Sequence, residues 1–331
     1  MKKLLCILLL LSFRFENTSL AKIVDTNKPY SYDLMKQDIE SIEKKYKVVK
    51  VKKIGKTHFG RTIYGIKLGK GKQNIVLIGA HHGREWMTSM LLMKQLKGYT
   101  YAYENQTNFG SLTTDILDDV SIWFIPMLNP DGVTIQQNDL NQFPNKHRKC
   151  LLDMNEKLED FNRWKANGLG LDLNRQYPAG WRELSNQPDS PYYQFYRGKK
   201  PLEAEEVKAL TRFIRKINPV IAVAYHSAGR EIFWNYHNGK HLKRDKRIAK
   251  KISKLTGYEL GKPPKQAIGG GFTDWFITKY QRPAMTIEIS PLVGETSPPL
   301  EVFESEWESN KYVGLILAEE AKNLSKAKTS R

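Results

Sequence analysis

Two histidines each close a strongly apolar run: His82 in NIVLIGAHHGREW and His226 in NPVIAVAYHS. Glu85 follows His82 by three residues, so the two segments together offer two imidazoles and one carboxylate. A catalytic zinc takes three such protein ligands and leaves its fourth position for water. A third segment, AMTIEIS, alternates Met285, Ile287 and Ile289 with Ala284, Thr286, Glu288 and Ser290, which puts Glu288 on the face away from the larger apolar residues. A carboxylate there could take a proton from a metal-activated water and hand it to a leaving amine, as peptide hydrolysis requires. Each feature also has a plainer reading. A histidine at a strand end is commonly a hydrogen-bonded structural residue, and a Glu on an edge strand is commonly just solvated.

The elements that must position these groups are legible from periodicity. Residues 75–80 and 220–225 are too short and too β-branched for helices and read as strands buried on both faces. In open α/β sheets, ligands bind just beyond the carboxyl ends of the strands, so His82 and His226 are expected at one edge. Further strands are expected at 48–54, 64–68 and 122–126. Helices are expected at 32–46, after Glu85, and near 202–216, 245–255, 272–280 and 302–322. This alternation predicts an α/β single domain, with a mixed, mostly parallel twisted sheet sandwiched by helices. Residues 139–168 are polar with weak periodicity and read as a long loop beside the cleft.

Six motifs in order, HHGREW, NPDG, GLDLNRQYP, YHS, GGGFTDW and MTIEIS, resemble those of the zinc metallocarboxypeptidase family, from about Tyr30 to the C-terminus. The resemblance implies that His82, Glu85 and His226 are the ligands of one zinc ion and that Glu288 is the general base. His81 competes for the first ligand position, and the spacing to Glu85 decides for His82. Asp172 matches a carboxylate that accepts the other ring N–H of the first zinc histidine. Arg84 resembles a substrate-contacting arginine. Asn174 and Arg175 match the pair that holds a substrate's terminal carboxylate, for which a planar guanidinium is suited.

Two departures from the family pattern bear on mechanism. The arginine that stabilises the oxyanion has no direct counterpart in FNRWKANGLGLDLNR, where either Lys165 or Arg163 could supply the positive charge. The tyrosine that caps bound substrate is replaced in PPKQAIGGGFTDW by Lys265 and Gln266, with Tyr258 or Tyr280 as substitutes from elsewhere. The position that sets side-chain preference aligns with Thr273, whose neutral hydroxyl argues against a pocket dedicated to Lys or Arg.

The N-terminus MKKLLCILLLLSF has a basic start and an apolar core too short to span a bilayer stably, and a polar stretch ending in Ser-Leu-Ala follows. This is the layout of a secretory signal peptide at 1–21, leaving a catalytic domain at 22–331 with no stable membrane anchor. Cys150 is then the one cysteine of the mature chain, so no intrachain disulfide can form and the fold must rest on its core. The formal charge of +18 includes Lys2, Lys3, Arg14 and Glu16 of the signal segment, so the mature value is 18 − 2 = +16. Much of it lies in KHLKRDKRIAKKISKLT, which is either a solvated helix face or, in an exported protein, a surface for anionic wall polymers. Nucleic acid is not an expected partner, since export and the lack of a nucleic-acid motif both count against it.

Within the family, RWKANGLGLDLNRQYPAGW and YYQFYRGKKPLEAEE are most similar to the bacterial branch of γ-D-glutamyl-L-diamino acid endopeptidases. That likeness implies a secreted, monomeric zinc peptidase cutting between γ-D-glutamate and meso-diaminopimelate in peptidoglycan stem peptides. A secreted carboxypeptidase acting on ordinary peptides, and an inactive wall-binding scaffold, are the alternatives.

Overall fold

In the computed structural model, which describes residues 24–329, the apolar runs form the middle of a seven-stranded sheet. The expected signal segment lies outside the described residues. The chain enters through helix α1 (Tyr32–Lys45), where the Ser31 hydroxyl accepts from the Leu34 N–H, Asp33 sits in the first turn and Lys44 and Lys45 in the last. Capping and charge therefore agree with the helix dipole at both ends. Strands β1 (Val49–Lys56), β2 (Thr62–Leu68) and β3 (Gln73–Ile78) follow, then α2 (Met87–Glu104), α3 (Ile116–Asp119) and β4 (Val120–Ile125). After α4 (Pro130–Gln136), α5 (Asn145–Met154) and α6 (Glu205–Ile217) come β5 (Ile221–Ser227), β6 (Glu231–Phe233), α7 (Leu242–Thr256), α8 (Phe272–Tyr280) and β7 (Ala284–Ile289). Helices α9 (Phe303–Asn310) and α10 (Val313–Thr329) complete the described residues.

The strand order is β1-β2-β4-β3-β5-β7-β6. The centre, β4-β3-β5-β7, is parallel, and the pairings of β1 with β2, β2 with β4 and β6 with β7 are antiparallel. Only β2 and β6 therefore oppose the common direction, so the sheet is mixed and mostly parallel as expected. Both faces of the centre are buried. Ile75, Leu77, Val223, Tyr225, Met285 and Ile287 pack into one core with α1, α2, α7 and α10, whereas Val76, Ile78, Ala222, Ala224 and Ala284 pack into another under α6 and α8. The chain leaves β3 for β4 on one side and returns to β5 on the other, so a crevice opens beyond the carboxyl end of β3.

Three expectations need correction. Residues 139–168 are not all loop: α5 occupies Asn145–Met154, because Leu151 and Met154 bury against Phe143, Phe161 and Trp164 in a small third core. Strand β6 was missed because three residues carry no periodicity. The helix expected over 302–322 is two helices. Gln95 donates to the Asn310 carbonyl and Tyr99 to the Lys311 carbonyl, so α2 captures acceptors that a continuous helix would have used.

Candidate metal centre and substrate pocket

His82 lies four residues past β3, while His226 and Glu288 are direct register partners at the ends of β5 and β7. Three backbones must meet tightly to hold the first of these. A Cβ on Gly83 would stand 2.4 Å from the Gly132 carbonyl oxygen, and one on Gly132 would stand 2.4 Å from that of Ala166. Only glycine fits at either contact. Asn129 of NPDG joins the same three segments: its Oδ1 accepts from the Gly132 N–H, and its Nδ2 donates to the carbonyls of His81 and Ala166. The Gly83 N–H donates to the Lys165 carbonyl at 3.0 Å.

The result is a buried cluster. His82 Nδ1 lies 2.7 Å from Glu85 Oε1, His226 Nδ1 lies 2.8 Å from Glu85 Oε2, and the two Nδ1 atoms are 3.2 Å apart. The ligand atoms of all three residues lie within 4.8 Å of one another, each side chain being almost fully buried. Burial would push the Glu85 carboxyl up, but His82 and His226 outweigh it and hold it well below the usual range. Two ring nitrogens and a carboxylate converging on one point fit a three-ligand zinc centre. Asp172 Oδ1 lies 3.1 Å from His82 Nε2, so the outer ring nitrogen is held while Nδ1 faces the cluster. His81 is elsewhere. Its Nε2 meets the Tyr177 hydroxyl at 3.2 Å and its ring stacks on His226 at 5.1 Å.

Asp172 organises the next layer. Its Oδ1 also accepts from the Asn174 N–H and its Oδ2 from the Phe195 N–H. Asn174 Oδ1 in turn accepts from the Phe272 N–H and ties this segment to α8. Arg175 is 5% exposed; its Nη1 donates to the Asn174 carbonyl, and its Nε has no hydrogen-bond partner among the described residues. A buried donor left in this state calls for an acceptor.

A pocket of about 290 Å³ brings His82, Glu85, His226, Arg84, Lys165, Asn174, Arg175, Thr273 and Glu288 together. Burial, with Glu85 close by, pushes the Glu288 carboxyl well above the usual range. Burial also lowers the Lys165 ammonium, against the pull of Asp172 and Glu85. Arg84 Nη1 donates to the Arg163 carbonyl and to Gln194 Oε1. The Arg163 guanidinium does not line the pocket. It bonds Asn155 and Glu156 and lies over the Tyr193 ring, so of the two cations considered for the oxyanion only Lys165 reaches the site. Thr273 Oγ1 lies 2.8 Å from Thr286 Oγ1. Neither tyrosine considered as a cap lines the pocket: Tyr258 is buried against Glu306 and Asn310, and Tyr280 packs on Trp275 and Phe276.

The structure adds residues that spacing did not reveal. Glu231 on β6 pairs in register with Glu288, and Asp274 follows Thr273; both line the pocket, which is therefore not the neutral one expected from Thr273 alone. Phe195 holds a left-handed backbone, φ 65°, and its ring lies 4.8 Å from the Lys165 ammonium and 5.8 Å from the Arg175 guanidinium. Ala80 and Ser290, at φ 43° and 69°, flank the same edge of the sheet.

Comparison with known proteins agrees with this geometry. The chain is 30% identical over 301 residues to γ-D-glutamyl-L-diamino acid endopeptidase 1 of Lysinibacillus sphaericus, covering 90% of this chain and 74% of that one. It is 29% identical over 284 residues to an uncharacterised protein of Bacillus subtilis (strain 168), covering 85% and 74%. Among solved structures, thrombin activatable fibrinolysis inhibitor shares the fold, with a TM-score of 0.71 at 18% identity over 94% of this chain and 79% of that one. The zinc carboxypeptidase family model matches residues 35–312, so the chain belongs to that family and is a zinc-dependent metallopeptidase.

Proposed function

We propose that the chain is exported and hydrolyses the bond between γ-D-glutamate and meso-diaminopimelate in peptidoglycan stem peptides. The observation that carries this reading is a buried, under-partnered Arg175 guanidinium in the same pocket as the His82–Glu85–His226 cluster. It suits a substrate whose free carboxylate lies one residue from the bond to be cut, as diaminopimelate's does at the end of a stem tripeptide. The wall substrate is favoured over an ordinary peptide by the 30% identity to an enzyme named for γ-D-glutamyl-diamino acid bonds.

In this reading His82, Glu85 and His226 hold zinc, which when bound makes water a nucleophile near neutral pH and polarises the scissile carbonyl. Glu288 takes the proton of the attacking water and returns it to the leaving amine, for which a raised pKa is well suited. Lys165 offers positive charge to the developing oxyanion, and Arg84 contacts the substrate beside it. Asn174 and Arg175 hold the free carboxylate, and Thr273 receives the side chain. Asp172 fixes His82 and, through the Asn174 and Phe195 N–H groups, the loops that carry these cations.

Export rests on the N-terminal pattern of basic start, apolar core and small residues. Association with anionic wall polymers is supported by α7, where Lys243, Lys246, Lys250 and Lys254 are exposed. The deciding experiment incubates the protein, with and without a zinc chelator, with L-Ala-γ-D-Glu-meso-diaminopimelate and with ordinary C-terminal peptides, reading products by mass. Chelator-sensitive release of diaminopimelate alone is expected. Trimming of ordinary peptides instead would make it a general carboxypeptidase, and no cleavage of either, with no bound zinc, would leave a scaffold.

A further inference from the structure

Two carboxylates in the pocket have no role in the hydrolysis described above. Glu231 stands in register opposite Glu288 on the antiparallel pair β6–β7, which puts both side chains on the same face of the sheet. Like charges opposite one another are unfavourable unless something intervenes. No hydrogen bond or ion pair to the Glu231 carboxylate forms among the described residues. Two glycines stand beside it: a Cβ on Gly229 would lie 3.8 Å from its Oε2 and one on Gly261 3.1 Å from its Oε1, the latter also meeting the Phe233 ring. Asp274, in the first turn of α8, accepts one hydrogen bond, from the Gly269 N–H to Oδ2 at 2.8 Å, and it too lines the pocket. Burial raises its carboxyl to about 6, against the Gly269 hydrogen bond and the nearby charges of Arg175 and His237, which lower it.

A second metal is a poor match for these groups. Among the described residues the convergent ligand cluster is His82, Glu85 and His226, and neither Glu231 nor Asp274 joins another. An organic ammonium suits them better, since each carboxylate can accept from one of its N–H donors without the three or more convergent ligands of a metal site. The pocket lining is mixed: Phe233 pairs in register with Thr286, and Trp234 and the Thr273–Thr286 hydroxyl pair also face the pocket. Such a surface takes a methylene chain with a charged end.

We infer that Glu231 and Asp274 form a specificity subsite for a primary ammonium at the far end of the substrate's C-terminal side chain. This rests on the proposed reading of the pocket, with the free α-carboxylate on Arg175. Diaminopimelate and lysine both carry such an ammonium; 2-aminopimelate keeps the side-chain carboxylate without it, and norleucine has neither.

The test uses the zinc-loaded protein and L-Ala-γ-D-Glu peptides ending in these four residues. The ammonium-bearing pair is expected to exceed 2-aminopimelate and norleucine by tenfold or more in kcat/KM, mostly through KM. Glu231→Gln and Asp274→Asn, which keep shape and hydrogen bonding, are expected to shrink that ratio by about tenfold each. Zinc content and thermal unfolding verify that the variants are folded. A uniform loss on all four peptides, as expected if Glu231 acted only through Glu288, would overturn the subsite, as would an unchanged ratio. Should the protein trim ordinary peptides instead, the same ratio is read on C-terminal lysine against norleucine, so the wall substrate can fail while the subsite stands. Calorimetric binding of free diaminopimelate against 2-aminopimelate reads the contrast without turnover, and equal affinities would overturn it.

Discussion

At the level of single residues the site divides into groups that touch the reaction and groups that aim them. Glu288 belongs to the first kind under the proposed mechanism. Its replacement by Gln keeps size and removes the base, so zinc content measured by mass spectrometry will stay stoichiometric while kcat falls by roughly 10²–10⁴-fold. The cations make a sharper contrast. Lys165 lines the pocket, whereas the Arg163 side chain is spent on Asn155 and Glu156. Lys165→Met is expected to cost about 10²-fold or more in kcat, the scale of a lost oxyanion contact, and Arg163→Met well under tenfold. Equal losses would mean that the loop holding both, rather than either charge, is what matters. Much at this scale was legible in the sequence, because His82, Glu85, His226 and Glu288 sit at fixed offsets from apolar strands whose ends define the site. Phe195 was not: an aromatic in YYQFYRG signals core, and nothing in the letters tells that its backbone turns left-handed to meet Lys165 and Arg175.

At the level of elements the site depends on loops whose backbones touch. The segment after β3, the start of α4 and residues 163–167 meet through Gly83, Gly132 and the two-way Asn129 amide. A methyl group at Gly83 would stand 2.4 Å from the Gly132 carbonyl oxygen, so the backbone directly beside His82 and Glu85 would have to move. Gly83→Ala is therefore expected to lose zinc affinity as well as several degrees of melting temperature. Calorimetry with and without chelator separates the two, because a purely structural defect would lower both melting temperatures equally. The sequence shows NPDG as a motif but not its purpose, since an Asn that bridges three segments looks the same in one dimension as an Asn that caps one helix. It shows helices and strands where periodicity runs for two turns or four residues, and so passes over β6, only three residues long. That omission hides Glu231, which reaches the pocket because β6 pairs back on β7.

At the level of the whole molecule a buried acid on α6, Glu206, links stability to pH. Glu206, fully buried in the first turn of α6, accepts from Asn167 Nδ2 at 3.2 and 3.3 Å. Asn167 Oδ1 in turn accepts from the N–H groups of Leu169 and Leu171, bracing the loop that delivers Asp172. Burial, with Asp131 nearby, raises the Glu206 carboxyl from 4.5 to about 8, so the folded state keeps a proton that the unfolded chain has already released. The unfolded state then binds fewer protons between those two values, and stability must fall as pH rises through that window. Integrated to pH 8, the loss is on the order of 4 kcal/mol for this one group. Glu206→Gln copies the protonated acid with one acceptor and one donor at similar volume, and so removes the dependence. Near pH 5 the variant should match the parent within about 1 kcal/mol, and near pH 8 it should be more stable by several degrees in melting temperature. Zinc-loaded protein is the right sample, because the metal then fixes His82, Glu85 and His226 and leaves Glu206 as the group whose titration the substitution alters. A constant difference between variant and parent from pH 5 to pH 9 would show that Glu206 is ionised in the fold, with the Asn167 amide and the first turn of α6 supporting its charge.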